Sequence, residues 1–132
     1  MSRVLVVEDH EDTCRVLTKL LTAAGHEAVC ALNGRAALAA LVDGLPDVIV
    51  LDLMMPEMDG VEFLRNLREY VRWAFIPVIL VTGAGDNSLL LQRARHYGVF
   101  RVFAKASFEL PELLAAIDDA AAAGAAAHQP PG

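Results

Sequence analysis

The chain has 132 residues, one domain's length, and at that size roughly two-thirds of the unfolded surface is buried on folding. Hydrophobic residues make up 55% of it, yet its apolar runs fall far short of the ~20 residues a membrane-spanning helix needs. The net charge of −6 argues against nucleic acid as a direct partner, which needs a basic face to displace counterions; Met1-Ser2-Arg3 leads straight into a strand with no signal-peptide pattern, so the expected location is cytoplasmic, with no membrane partner.

Arg3 to Val7 is a continuous apolar strand ending in Glu8-Asp9. From Thr13 the spacing turns helical, with Cys14, Leu17, Leu20, Leu21 and Ala24 on one face and Gly25 as the stop. Glu27 to Leu32 is a short strand. Asn33-Gly34 opens a helix carrying Leu38, Leu41 and Val42, which Gly44-Leu45-Pro46 ends. Val48-Ile49-Val50-Leu51 then reads as a strand buried on both faces, cut off by Asp52 before Pro56 and Gly60 break the chain. Val61, Leu64, Leu67 and Val71 mark the next amphipathic helix, with Tyr70 and Trp73 packing at its end. Val78 to Val81 is a fourth strand ending in Thr82-Gly83. Asp86-Asn87-Ser88 cap a helix bearing Leu90, Leu91, Ala94 and Tyr97, closed by Gly98. Arg101 to Ala104 is the last strand, ending in Lys105. The final helix turns Leu110, Leu113, Leu114 and Ile117 inward, with Pro111 in its first turn. Residues 124–132 read as a flexible Ala/Pro/Gly-rich tail beyond a domain of residues 1–123.

Five alternations of strand and helix mean a doubly wound α/β sheet with right-handed crossovers, whose site lies at the carboxyl ends of the strands. Glu8, Asp9, Asp52, Thr82 and Lys105 all stand at such ends. Singly, each has a plain reading as a cap, a turn residue or a solvated charge; chance rarely puts all of them at one edge. Converging carboxylates repel one another or call for a cation, and oxygen ligands with room for water suit Mg²⁺. A carboxylate beside such an ion, with a hydroxyl and a lysine in reach, is equipped to accept a phosphoryl group.

On Val-Val-Glu8-Asp9, Val-Leu-Asp52-Leu-Met-Met-Pro56-Glu-Met-Asp-Gly60, Leu-Val-Thr82 and Lys105, the chain resembles a response regulator receiver domain over roughly residues 3–122. The resemblance implies a flavodoxin-like five-stranded parallel sheet of order 2-1-3-4-5 with five helices. It implies Asp52 as phosphoacceptor; Asp9, Asp52 and the Met54 backbone carbonyl as ligands of Mg²⁺, with Mn²⁺ as its substitute; and Glu8 acting through water. Thr82 is then the switch hydroxyl and Lys105 the partner of the phosphoryl group. The implied donor is a histidine kinase or a histidine phosphotransfer protein. The output goes to a downstream protein target, from a monomer or a phosphorylation-dependent dimer. Such a chain is a switch rather than an enzyme, with at most Mg²⁺-dependent self-phosphorylation and self-dephosphorylation.

The sequence departs from that family at several positions. Ala106 follows Lys105 where proline, often after a cis bond, is usual, so either a costly cis bond is retained or the loop is rebuilt. The 106–109 loop is one residue longer than usual. The aromatic-switch position, three before Lys105, holds Val102. Tyr97, Phe100 and Phe103 make this face aromatic, and read equally as a partner patch or as core filling. Met54 and Ala84 occupy the positions that tune dephosphorylation, and neither orients a water, so slow loss of the phosphoryl group is expected. Cys14 and Cys30 read as buried free thiols, and His10, His26, His96 and His128 as solvated surface residues.

The main competitor is a degenerate receiver acting as a phosphorylation-independent interaction scaffold, which the changes at Val102 and Ala106 keep in play. A haloacid-dehalogenase-like phosphatase wants an aspartate where Met54 stands. An FMN module wants hydroxyl-rich loops in place of the acids. Gly83-Ala84-Gly85 lacks the third glycine of a dinucleotide loop.

Overall fold

The computed structural model describes residues 1–55, 57–83, 85 and 88–128, with side chains to Ala125. Pro56, Ala84, Asp86, Asn87 and 129–132 lie outside the described residues, and with them the turn proline, one dephosphorylation position, two expected caps and the end of the tail.

The strands are β1 (Arg3–Val7), β2 (Glu27–Ala31), β3 (Val48–Leu51), β4 (Val78–Thr82) and β5 (Arg101–Ala104). The helices are α1 (Glu11–Ala23), α2 (Gly34–Asp43), α3 (Gly60–Glu69), α4 (Leu89–His96) and α5 (Leu110–His128). The sheet is wholly parallel, in order β2-β1-β3-β4-β5. Its alternating side chains feed two cores. Leu5, Val7, Ile49, Leu51, Val78 and Leu80 pack with residues of α2, α3 and α4. Val4, Val6, Val48, Val50, Ile79 and Val81 pack with α1 and α5. Helices on both faces are what make β3 and β4 continuous apolar runs, buried at every position.

The helix starts follow local chemistry. Asn33, Asp59 and Ser88 each accept a backbone N–H three residues on, at 2.8, 2.9 and 3.0 Å. Gly25 and Gly98, with φ of 93° and 82°, take the left-handed conformation that ends α1 and α4. Gly60 lets α3 start against β3: a Cβ there would stand 2.6 Å from Leu53 Cα and 2.8 Å from the Asp52 carbonyl.

Several expectations need correcting. The chain leaves α3 at Glu69, so Val71 is 83% exposed, while Phe63 fills the core in its stead. The cause is Arg68, whose guanidinium donates to the carbonyls of Ala74 (3.1 Å) and Ile76 (2.8 Å) and draws the following segment back into turns. Tyr70 stacks on Trp73 with ring centroids 4.6 Å apart. Val42 points to solvent, and Ala37 with Leu41 carries the buried face of α2. Cys14 and Cys30 are not free thiols; the β1–α1–β2 crossover sets their Cα atoms 6.0 Å apart, and they form a disulfide. His26 is buried, its Nδ1 accepting the Ser2 N–H at 3.1 Å. The helix α5 runs past residue 123 to His128, and Gly124 packs on Pro77. Among the described residues no helix is long and apolar enough to cross a membrane.

Candidate functional site

Hydrogen bonding carries the strand ladders one residue beyond their ends, and those residues hold the acids and the lysine. The Glu8 N–H donates to Ala31 O at 3.0 Å, the Asp52 N–H to Val7 O at 3.0 Å and the Lys105 N–H to Thr82 O at 2.9 Å. With Val7 paired to both Ala31 and Leu51, Leu51 to Leu80 and Thr82 to Ala104, β1, β2 and β3 end level and β4 and β5 run two residues further. One edge of the sheet therefore presents Glu8, Asp52, Thr82 and Lys105 together. Glu8 and Asp52 are each 3% exposed and Thr82 1%, an unusual burial for such groups.

Lys105 joins the carboxylates. Its Nζ donates to Glu8 Oε1 at 2.7 Å and to Asp52 Oδ2 at 3.1 Å. The remaining Asp52 oxygen, Oδ1, accepts the Met54 N–H at 3.1 Å, which ties the loop after β3 to the acid. Burial, helped by the nearby Asp52, pushes the Glu8 carboxyl above the ordinary range, although Lys105 and His10 pull the other way. Burial would lower the Lys105 ammonium, but its bonds to Glu8 and Asp52 override it and hold its pKa above the ordinary value. A cleft of about 300 Å³ opens beside Asp52 and Lys105, walled by Val16 and Leu20 of α1 and by Phe108.

Asp9 stands apart from this bridge. Its Oδ1 is shielded from solvent and accepts no hydrogen bond from the described residues. Such an oxygen, next to further carboxylates, fits a small divalent cation. Among the described residues, the group whose ligand atoms lie within 4.8 Å of one another is Glu8, Asp9 and His10, and Asp52 is not part of it. The sequence reading missed His10. The signal was available: it directly follows the acidic pair and holds the N-cap position of α1 without a side-chain capping bond.

The departures around β5 resolve in the loop. No peptide bond among the described residues is cis, and 105–108 is rebuilt as a turn in which Ser107 and Phe108 both donate to Ala104 O, at 3.2 and 3.0 Å. Val102 packs against the core on the α4 side of the sheet. Tyr97 and Phe103 also pack on core, while Phe100 is exposed with the Arg101 guanidinium 5.6 Å over its ring. Two of the three aromatics thus serve the interior. Met54, by contrast, is 56% exposed.

Comparison with known proteins points to one family. The family model described as the response regulator receiver domain matches residues 4–118. The regulatory protein AtoC of Escherichia coli strain K12 is 36% identical over 113 residues, covering 86% of this chain and 24% of AtoC. The response regulator PleD of Caulobacter vibrioides (strain NA1000 / CB15N) is 44% identical over 89 residues, covering 65% of this chain and 20% of PleD. The chain thus spans a quarter or less of the length of these relatives. Among solved structures, the signal receiver domain of a signal transduction histidine kinase from Syntrophus aciditrophicus aligns with a TM-score of 0.83 at 29% identity, covering 92% of this chain and 91% of that one. The Vibrio cholerae chemotaxis protein CheY4 aligns with a TM-score of 0.82 at 29% identity, covering 91% and 98%.

Proposed function

Because the chain belongs to the response regulator receiver domain family of two-component signalling, we propose that it is a phosphoacceptor switch in which Asp52 takes the phosphoryl group. The observation that carries the reading is the buried Asp52 held by Lys105, which also bonds Glu8, at the carboxyl ends of the strands. A complete acid, hydroxyl and lysine set favours a working switch over a scaffold.

The chemistry runs from a phosphohistidine of a histidine kinase or phosphotransfer protein, seated along the α1 wall of the cleft. An Asp52 carboxylate oxygen attacks phosphorus, the P–N bond breaks, and its electron pair leaves with the imidazole. The product is an acyl phosphate. Bound Mg²⁺, or Mn²⁺ in its place, held by Asp9, Asp52 and the Met54 carbonyl with Glu8 acting through water, would neutralise charge on the phosphoryl oxygens. Lys105 moves its ammonium from the carboxylates to a phosphoryl oxygen. Thr82 turns its hydroxyl toward the same group, and that local charge change biases the α4–β5–α5 face toward a downstream protein, as a monomer or a phosphorylation-dependent dimer. With valine at position 102, that position supplies no aromatic ring to swing in and out. We take residues 1–123 as the unit that switches, with the end of α5 continuing beyond it to His128.

The test is intact mass after incubation with acetyl phosphate and Mg²⁺, with Asp52→Asn alongside. We expect a gain of one phosphoryl group that requires the ion and is lost in the variant. A folded protein that gains nothing, or an Asp52→Asn protein that gains as much, overturns the proposal.

A further inference from the structure

The cleft beside Asp52 and Lys105 has an apolar body that phosphoryl transfer does not use. Close-packed interiors leave few voids wider than a water molecule, whereas about 300 Å³ lies open here, the lower end of the range for small-molecule sites. The floor is core: Val6, Val50 and Val81, from three neighbouring strands, are each at most 4% exposed. The walls are apolar and open. Val16 and Leu20 of α1 are 54% and 37% exposed, and Phe108 stands on the rebuilt turn, its N–H donating to Ala104 O at 3.0 Å. The inner end is acidic, because one ammonium, that of Lys105, is shared between two buried carboxylates, Glu8 at 2.7 Å and Asp52 at 3.1 Å. Asp12 at the rim adds little, with Arg15 3.5 Å away. Lys105 itself shows what these acids hold: an ammonium carried on an alkyl stem.

We propose that the cleft is a binding site for a small amphipathic amine, its alkyl chain between Val16, Leu20 and Phe108 and its ammonium on Asp52. The chain gains by leaving water in proportion to the apolar area it covers, and an ammonium on a buried carboxylate makes one of the stronger hydrogen bonds. An alkyl carboxylate of the same length meets net negative charge instead. A ligand seated there covers Asp52, so a bound amine keeps the phosphodonor out and holds the switch off. That consequence rests on the phosphoacceptor reading of Asp52; the binding itself does not.

The experiment is calorimetric titration of the full chain, in chelator, with octylamine, butylamine, octanol and octanoate. Wild type is compared with Val16→Gln, Leu20→Gln and Asp52→Asn; the first two fall on exposed side chains, and thermal melts check that each fold survives. We expect octylamine to bind at least about tenfold more tightly than butylamine, because its further methylenes leave water. It should also exceed octanol and octanoate by about tenfold or more, through its charge. Each substitution should weaken octylamine by about threefold or more. Octylamine should also slow the gain of a phosphoryl group from acetyl phosphate, read by intact mass. Octylamine that does not bind, or binds no better than butylamine, overturns the apolar site. Octanol or octanoate binding as tightly overturns the amine, and binding that no substitution weakens lies elsewhere and overturns the whole inference. Binding that leaves the phosphoryl gain unslowed overturns the placement of the ammonium on Asp52. A protein that binds octylamine as expected, yet gains no phosphoryl group even without it, sinks the phosphoacceptor reading alone.

Discussion

Glu8 accepts a hydrogen bond from the Lys105 ammonium at 2.7 Å and still holds its proton more tightly than a free glutamate, because burial and Asp52 outweigh the lysine. A carboxyl whose pKa is raised on folding stabilises the fold fully below its ordinary value, here 4.5, and loses that contribution as pH rises through the folded value. At neutral pH, above that ordinary value, Glu8 is therefore a cost in the ion-free protein. Glu8→Gln should melt a few degrees above wild type at pH 7, an advantage that shrinks as pH falls and is gone below the ordinary value. Parallel melts in chelator across that range test it, and an advantage absent at pH 7 sinks the argument. Met54 carries a kinetic prediction. Its exposed thioether stands beside Asp52, two positions on, and orients no water. The acyl phosphate of wild type should persist, and Met54→Asn should shorten its lifetime on the order of tenfold by offering a polar group to the attacking water. Following the phosphorylated mass with time after removal of acetyl phosphate reads this directly. An unchanged lifetime counts against it.

At the scale of elements, Arg68 does what no helix cap does. From the end of α3 it donates to the carbonyls of Ala74, Ile76, Tyr97 and Gly98, at 3.1, 2.8, 2.8 and 2.9 Å. One guanidinium thus fastens the approach to β4 and the end of α4 at a single point. Burial draws its pKa down from the ordinary value, yet a guanidinium stays charged in proteins. The consequence for signalling is geometric: α4 is pinned at its C-terminal end, so any displacement that follows Thr82 is largest at its N-terminal end, near Ser88. Arg68→Met keeps the stem and removes every donor, leaving those carbonyls to find water or go without. We expect it to cost about 2–4 kcal/mol in denaturant unfolding followed by Trp73 fluorescence, and to raise hydrogen exchange around Tyr97 to Val99. A loss below about 0.5 kcal/mol would mean that water replaces the guanidinium freely.

For the molecule as a whole, what could be read in advance was what local patterning governs. Short apolar runs between turn signals located all five strands, and the strand-end rule then placed Glu8, Asp52, Thr82 and Lys105 on one edge. What could not be read depends on contacts between elements. Val71 fits a helical stripe, and only the distant carbonyls held by Arg68 show why the helix stops short of it. His10 is the surface residue its sequence suggests, but only the turn at the head of α1 shows that its ring lies against the acids. Cys14 and Cys30 are the fullest case, because their pairing follows from the crossover and not from their spacing of 16 residues. The bond ties α1, which walls the cleft, to the outer strand β2. A loop of that length closed by a disulfide stabilises a fold by about 3 kcal/mol through the unfolded chain. Reduction should therefore lower the urea midpoint by a corresponding amount, and Cys14→Ala/Cys30→Ala should behave like the reduced protein. Both should still gain a phosphoryl group from acetyl phosphate, since the hydrogen bonds of Asp52 and Lys105 run through β1, β3 and β4 and not through the cysteines. Alkylation of the denatured, unreduced protein that labels both cysteines would overturn the pairing, and a phosphorylation yield that collapsed on reduction would place the bond in the switch itself.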